Sequence, residues 1–364
     1  MKNSALFIME TLKNEEVSIK WVYAVSEGVA DILTSKNIVL DSRFSVFEIS
    51  PAKCKTTRKE ILQLSKTSKA NLVYTMAGPA YVDFGIKHIQ GLSNAYFTHA
   101  TFNDLMFLNS YIERLKSIIF SKIRVYYAKR ADYFIFQTNV AKNEFCKKAS
   151  ISKSKAFVIP NSYDSEMKNK IEQIYTSEQI EINKKKLTIF CPGAAYPHKG
   201  FQLIPKIARD MKKTATDNFK FILTLPESKL LDKIKILLKK YDIEDYVENI
   251  GAYKYKDINL LYDRYDIVFV PSLLETFSST YLEAIVAGKP LVVVNKEFAK
   301  EVCEDYAIYV NPFDSASTAV SILDVLNTNN PVNQTIRNKV LKKYGDQNFR
   351  FNEIANILKT IHNT

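Results

Sequence analysis

The chain has 364 residues, a formal net charge of +12 and four scattered cysteines. That length holds two α/β domains of ordinary size, each with its own core, and the charge favours an anionic partner: a nucleotide, a nucleic acid or an acidic lipid surface. Cys54, Cys146, Cys191 and Cys303 lack the paired spacing of zinc or redox sites and read as those of a cytoplasmic protein, and no apolar run approaches the roughly 20 residues that a membrane span needs.

From the amino terminus, SALFIMETLKNEEV sets Leu6, Met9 and Leu12 on one face and predicts a helix. The segments that follow alternate. IKWVYAV reads as a strand, SEGVADILTSK as a helix capped by Ser26, FSVFEIS as a strand and TTRKEILQLSKTS as a helix. ANLVYTMAG reads as a buried strand ending in a Gly-Pro turn, KHIQGLS continues the pattern, and NAYFTHATFNDL reads as a loop that contains His99. On its own, His99 reads as a satisfied loop histidine or a helix cap.

Residues Asn103 to Ala131 form a long helical segment in which Arg114, Lys116, Lys122, Arg124, Lys129 and Arg130 alternate with Leu115, Ile118, Ile119, Ile123 and Tyr126. Two readings stand: a core-facing helix with a solvated basic face, or a basic amphipathic helix that lies on an anionic membrane surface. DYFIFQT (strand), NVAKNEFCKKAS (helix) and AFVIPNS (strand) complete the first half, and the polar run up to Lys186 reads as a linker with some helix.

The second half opens with the strand LTIFCPG, a turn bearing Pro197, His198, Lys199 and Gly200, and a helix. Lys199 at the carboxyl end of a strand is either a solvated turn residue or a point charge suited to a diphosphate. FKFILTLP (strand), ESKLLDKIKILLKKY (helix), VENIG (strand) and KDINLLYDRY (helix) lead into the most informative stretch, DIVFVPSLLETFSSTYLEAIVAGKPLVVVN. It reads as a buried strand over 266–270, a polar turn with Glu275, a helix from Ser279 with Leu282, Ile285 and Val286 on one face, and a strand over Leu291 to Val294. Glu283 is the one charge inside that apolar helix. It either closes a capping box with Thr280 or needs a hydrogen-bonding ligand such as ribose hydroxyls. FAKEVCED, AIYVNP and DSASTAVSILDVL add helix, strand and helix, and the tail from Asn333 reads as helical.

The chain has only nine glycines, and none forms a GxGxxG fingerprint or a P-loop. No HExxH occurs and the histidines stand apart, so no metal is expected; without a helix-turn-helix, zinc-finger or RNP pattern, nucleic acid is the least supported partner.

Pro-Ser, two residues, Glu-Thr-Phe, then Leu-Glu-Ala and Ala-Gly-Lys-Pro resembles the donor-site signature of family 4 retaining glycosyltransferases, of the type acting on bacterial surface polysaccharides. The resemblance implies an α/β GT-B architecture, two Rossmann-like domains facing across a cleft. It divides the chain into an acceptor domain over 1–165, a linker over 166–186, a nucleotide-sugar donor domain over 187–340 and a helix over 341–364 that returns to the first domain. A first strand with a glycine-bearing turn, usual in the family before the first helix, is missing from the amino-terminal sequence. In the donor domain the resemblance gives Glu275 to the transferred sugar, Glu283 to the ribose, the amides of Phe277, Ser278 and Ser279 together with Lys199 to the diphosphate, Gly193 to the donor turn, and Tyr253, just past Gly251, to the nucleobase. On the acceptor side it gives His99 to the sugar or the acceptor hydroxyl. Many members carry an arginine five residues before the lysine, where this chain has Ala194.

The expected reaction is metal-independent transfer, with retention, from a nucleotide sugar such as GDP-mannose or a UDP-sugar to a hydroxyl of a growing or lipid-linked glycan of lipopolysaccharide, O-antigen or capsule type. The expected location is the cytoplasm, with peripheral contact to the inner face of the membrane if the basic helix serves that end. The competing reading is a non-catalytic subunit that binds a nucleotide or glycan; a sugar-nucleotide epimerase comes third, because the glutamate pair is the transferase pattern.

Overall fold

A computed structural model describes residues 2–14, 19–108, 110–165, 167–169, 186–214, 218–253, 257–327 and 334–363. The chain divides into two compact units: unit 1 comprises Met1–His99, Lys116–Asn161 and Gly345–Thr364, and unit 2 comprises Ala100–Leu115 and Ser162–Tyr344. The expected boundaries differ in three places, the smallest being residues 162–165, expected in the first domain but belonging to unit 2. Residues 100–115, expected in the first domain, belong to unit 2, where Lys296 Nζ lies 3.3 Å from Asp104 Oδ1. Residues 341–344 also stay with unit 2, because the Tyr344 ring meets Phe277 edge-on at 5.5 Å and its hydroxyl donates to the Glu301 carbonyl at 3.0 Å. Most of the expected linker, 170–185, lies outside the described residues.

Unit 1 pairs β1 (Tyr23–Ser26) with β2 (Phe44–Phe47), and carries a separate parallel sheet β3 (Leu72–Thr75), β4 (Lys87–Gly91), β5 (Tyr133–Phe136) and β6 (Ala156–Val158) in that order. Alternation along β5 assigns its faces: Phe134 and Phe136 join one core with Phe97 and Phe145, while Ile135 joins the other with Phe7, Ile89 and the Gln347–Asn363 helix. That helix buries Phe351, Ile354, Leu358 and Ile361, the i, i+3, i+7, i+10 stripe of a core-facing helix. Arg350, beside the stripe, donates to the Pro160 carbonyl at 3.1 Å.

Three local expectations change in the first half of the chain. The stretch expected as a loop after β4 contains a helical turn, Ala95–Thr98, because the Asn94 side chain accepts from the Tyr96 amide at 3.1 Å and caps it. Ser26 does precede the Glu27–Ser35 helix, but its hydroxyl makes no capping bond. The single long helix expected over 103–131 divides into a 3₁₀ turn, Asn103–Phe107, and a helix, Tyr111–Ala128.

Unit 2 is built on six parallel strands: β7 (Leu187–Cys191), β8 (Phe219–Leu223), β9 (Val247–Asn249), β10 (Ile267–Val270), β11 (Leu291–Val294) and β12 (Ala307–Val310). Their order is β12-β11-β10-β7-β8-β9. The chain builds outward from β7 in one direction, returns, and builds outward from β10 in the other, so the topological switch falls between β7 and β10. Asp266 locks that junction: its Oδ2 accepts from the Thr188 amide at 2.9 Å and the Thr188 hydroxyl at 2.6 Å. Both sheet faces are covered. Val268, Val270, Leu291 and Val293 point to the layer holding the Ser279–Val286 and Gln334–Tyr344 helices, and Ile267, Phe269 and Val292 to the layer of the Ile204–Lys213 and Lys229–Tyr241 helices.

Candidate active site

Adjacent parallel strands bring the turns at their carboxyl ends together. Lys199 lies in the turn after β7 and Glu275 in the turn after β10, and these two strands pair directly, Ile267 with Ile189 and Val268 with Phe190. The turns are tied through the backbone: the Leu273 amide donates to the His198 carbonyl at 2.7 Å. Gly200 has φ +75°, and a Cβ there would lie 2.0 Å from the Pro271 carbonyl oxygen, so only glycine lets the lysine turn approach the β10 turn this closely. Across this contact the Lys199 ammonium forms an ion pair with Glu275 Oε1. Both side chains are largely enclosed, with 19% and 12% exposure, so each charge relies on the other for the solvation that water no longer supplies.

His198 sits between the two charges and an aromatic wall. Its ring stacks on Tyr196 at 5.6 Å and stands 6.4 Å from Phe107, in the segment that joins unit 2 from residue 100. Burial pushes its pKa down, with Glu275 opposing and Lys199 reinforcing the shift, so the imidazole is neutral near pH 7. Gly193, at the end of β7, donates from its amide to Thr224 Oγ1 at 3.0 Å, and a Cβ there would meet the Phe201 ring at 2.9 Å.

The Ser279–Val286 helix starts in the β10 turn with Ser278 at its N-cap in extended conformation and no side-chain cap bond. Thr280 is therefore inside the helix, and Glu283 is its fifth residue, too far along to close the capping box. Instead Glu283 Oε2 accepts from the Tyr262 hydroxyl at 3.2 Å. The Tyr253 hydroxyl has its pKa raised, first by burial and then by the Glu283 charge, so it stays protonated and able to donate. The Phe277 side chain is buried in the core and the Ser278 side chain is buried beside it, which leaves their backbone amides, with that of Ser279, as the groups available at the helix start.

Of the residues singled out in the sequence, Lys199 and Glu275 are in contact, Gly193 closes the turn that precedes them, and Phe277, Ser278 and Ser279 follow Glu275 directly. Glu283 and Tyr253 share a second location around Tyr262. His99 belongs to unit 1, where it ends the Ala95–Thr98 turn and its Nδ1 lies 3.1 Å from the Thr98 hydroxyl. Tyr262, Thr224 and Phe107 were not singled out. Tyr262 lies in a helix whose apolar pattern reads as core, and it is fully buried with its hydroxyl on Glu283.

Residues 172–343 match the family model described as Glycosyl transferases group 1. The matched residues span the six-stranded sheet and both turns. Over 234 residues the chain is 22% identical to the O-antigen chain mannosyltransferase RfbU of Salmonella typhimurium, a match covering 64% of this chain and 61% of that one. It is also 25% identical over 178 residues to a 41.2 kDa protein from the cps region of Klebsiella pneumoniae, covering 48% and 47% of the two chains. The chain thus spans less than two thirds of the length of these relatives. A glycosyltransferase structure from Rickettsia africae superposes with a TM-score of 0.70 at 16% identity, covering 99% of this chain and 94% of that one. Anabaena Alr3699/HepE, solved in complex with UDP and glucose, superposes with a TM-score of 0.70 at 17% identity, covering 98% and 95%. The fold is GT-B, as the sequence motifs implied.

Proposed function

We propose that this chain is a retaining glycosyltransferase of the family 4 type, which moves a sugar from a nucleotide diphosphate sugar to a hydroxyl of a growing surface glycan. The observation that carries the reading is the junction of the lysine turn and the glutamate turn at the switch point of the group 1 domain, with Glu283 on the following helix. The relatives support it: one is named a mannosyltransferase of the O-antigen chain, and one neighbour is solved with UDP and glucose. The donor is accordingly GDP-mannose or a UDP-sugar.

In this reading donor binding exchanges partners. The diphosphate takes over the Lys199 ammonium and the amides at the start of the Ser279–Val286 helix, and Glu275, released from its ion pair, turns to the hydroxyls of the transferred sugar. Glu283, held in place by the buried Tyr262 hydroxyl, binds the ribose, and Tyr253 lies against the base. As the glycosidic bond breaks, negative charge grows on the leaving diphosphate. Lys199 and the helix amides therefore stabilise the transition state more than the bound donor. The leaving phosphate can accept the acceptor proton, so the donor half needs no separate general base. On the acceptor side we assign His99 to the acceptor hydroxyl.

Two observations favour a second reading. Lys199 and Glu275 already neutralise each other, as a purely structural pair would, and Ala194 stands where the family 4 resemblance implies an arginine, which together suit a non-catalytic binding subunit. Release of nucleoside diphosphate from a panel of nucleotide sugars, with and without glycan acceptor, separates the two. The transferase reading requires turnover by the wild type that falls by about 100-fold or more in Glu275→Ala and Lys199→Ala. A folded wild type that binds donor and never turns it over sinks that reading.

A further inference from the structure

The Tyr111–Ala128 helix is amphipathic in the unusual direction. Its buried positions are Ser121, Val125 and Ala128, small side chains that let the helix lie close to the body of the protein. The large apolar residues point out: Leu115, Ile119, Phe120, Ile123 and Tyr126 are between 42% and 63% exposed. Spacings of three and four residues put Leu115, Ile119, Ile123 and Tyr126 on one stripe, with Phe120 beside it, spanning about 16 Å of helix axis. The reading of a core-facing helix with a solvated basic face is thus overturned, since the apolar side is the solvated one. The helix is firmly seated at its carboxyl end, where the Gln90 side-chain amide donates to the Ala128 carbonyl at 3.2 Å.

A contiguous apolar stripe of this kind needs a cover, and the charges around it say which. Between Tyr111 and Arg130 the sequence holds six basic residues against one acid, Glu113. Lys116, Lys122, Lys129 and Arg130 are exposed beside the stripe. A second copy of the chain docking here would bring two basic stripes together with one acid on each side to relieve them. An anionic bilayer supplies both missing partners, acyl chains for the isoleucines and phenylalanine and lipid phosphates for the lysines.

We propose that this helix is a peripheral docking surface for an anionic lipid bilayer, lying in the plane of the interface with Leu115, Ile119, Phe120, Ile123 and Tyr126 inserted and its lysines at the headgroups. The proposal is independent of the donor site. It is tested by flotation of the full chain with vesicles of phosphatidylcholine plus phosphatidylglycerol and with phosphatidylcholine alone. The wild type floats with the anionic vesicles at low salt, and added salt weakens the association. Ile119→Ser/Ile123→Ser lowers the partition coefficient by about tenfold or more, with an unchanged or higher melting temperature because both positions are exposed. Lys116→Gln and Lys122→Gln each lower it about fivefold and flatten its salt dependence. The proposal fails if the wild type does not float, if it floats equally with phosphatidylcholine alone, or if the folded isoleucine variant floats like the wild type. It also fails if sedimentation shows a dimer that the isoleucine variant turns into a monomer, since the stripe is then covered by a second copy.

Discussion

Replacing Gly200 by alanine attacks the contact that brings the two candidate turns together. The added Cβ would lie 2.0 Å from the Pro271 carbonyl oxygen, whereas Cβ atoms essentially never approach closer than 3.0 Å, so one turn must retreat by about 1 Å. The left-handed conformation adds about 1–2 kcal/mol for any residue with a Cβ, and forcing the turns apart adds about 1–3 kcal/mol more. The total of about 2–5 kcal/mol lowers the melting temperature by about 5–15 °C for a unit of this size. Because Lys199 is the preceding residue, the same retreat pulls its ammonium from Glu275, and misplacement of about 1 Å at a reacting site costs about 100-fold in turnover. Gly251→Ala provides the control for stability: Gly251 also has a positive φ, +76°, but a Cβ there meets nothing within 4 Å. Its loss is confined to about 1–2 kcal/mol of backbone strain. Thermal melts of the two variants and nucleoside diphosphate release by Gly200→Ala decide the matter. Equal melting temperatures, with turnover preserved in Gly200→Ala, refute the claim that close approach is the purpose of this glycine.

Three further outcomes follow from particular contacts. Arg337 is buried and donates to the Ile285 and Val286 carbonyls at 2.9 and 2.6 Å, satisfying the end of the Ser279–Val286 helix; Arg337→Ala should cost about 2–4 kcal/mol in urea unfolding, and a loss below about 0.5 kcal/mol would contradict that role. In the proposed role of Glu283, Glu283→Ala should raise KM for the donor about tenfold with kcat little changed, because ribose binding would act equally on ground and transition states; a fall in kcat at constant KM would move Glu283 to the chemical step. His88 in unit 1 is held neutral by burial, its pKa lowered to about 4, with Nε2 2.9 Å from the Thr75 hydroxyl. Its folded pKa lies below the unfolded value of about 6.5, so its contribution is complete above pH 6.5 and is lost as pH falls toward 4, about 3 kcal/mol in all. His88→Gln should flatten the pH dependence of unfolding free energy across that window, and an unchanged slope would show that another group titrates there.

The fold of unit 2 was largely legible in the sequence because parallel strands buried on both faces leave continuous apolar runs. The Leu291 to Val294 run is β11 to the residue, and Lys199 and Glu275 follow their strands as expected. Periodicity could not show direction. The Tyr111–Ala128 helix has the right spacing for a core stripe, yet Ile119 and Ile123 face outward, because Ser121, Val125 and Ala128 sit closer to the body. Nor could spacing reveal contacts made far along the chain. The Gly200 approach to Pro271 and the Lys296–Asp104 pair, which helps to bring residues 100–115 into unit 2, depend on strand order. Glu283 shows how a local motif misleads. Thr280-Tyr-Leu-Glu283 fits a capping box by sequence, but the helix starts earlier, at Ser279, and the glutamate finds Tyr262 instead.

In the proposed mechanism a nucleotide diphosphate sugar displaces Glu275 from Lys199 and takes the lysine for itself. Calorimetric titration of the wild type and Lys199→Ala with the preferred donor tests it directly. The account predicts at least about tenfold weaker binding by a variant that remains folded. Equal affinity in the two proteins would contradict it and leave the Lys199–Glu275 pair as a structural tie between two turns.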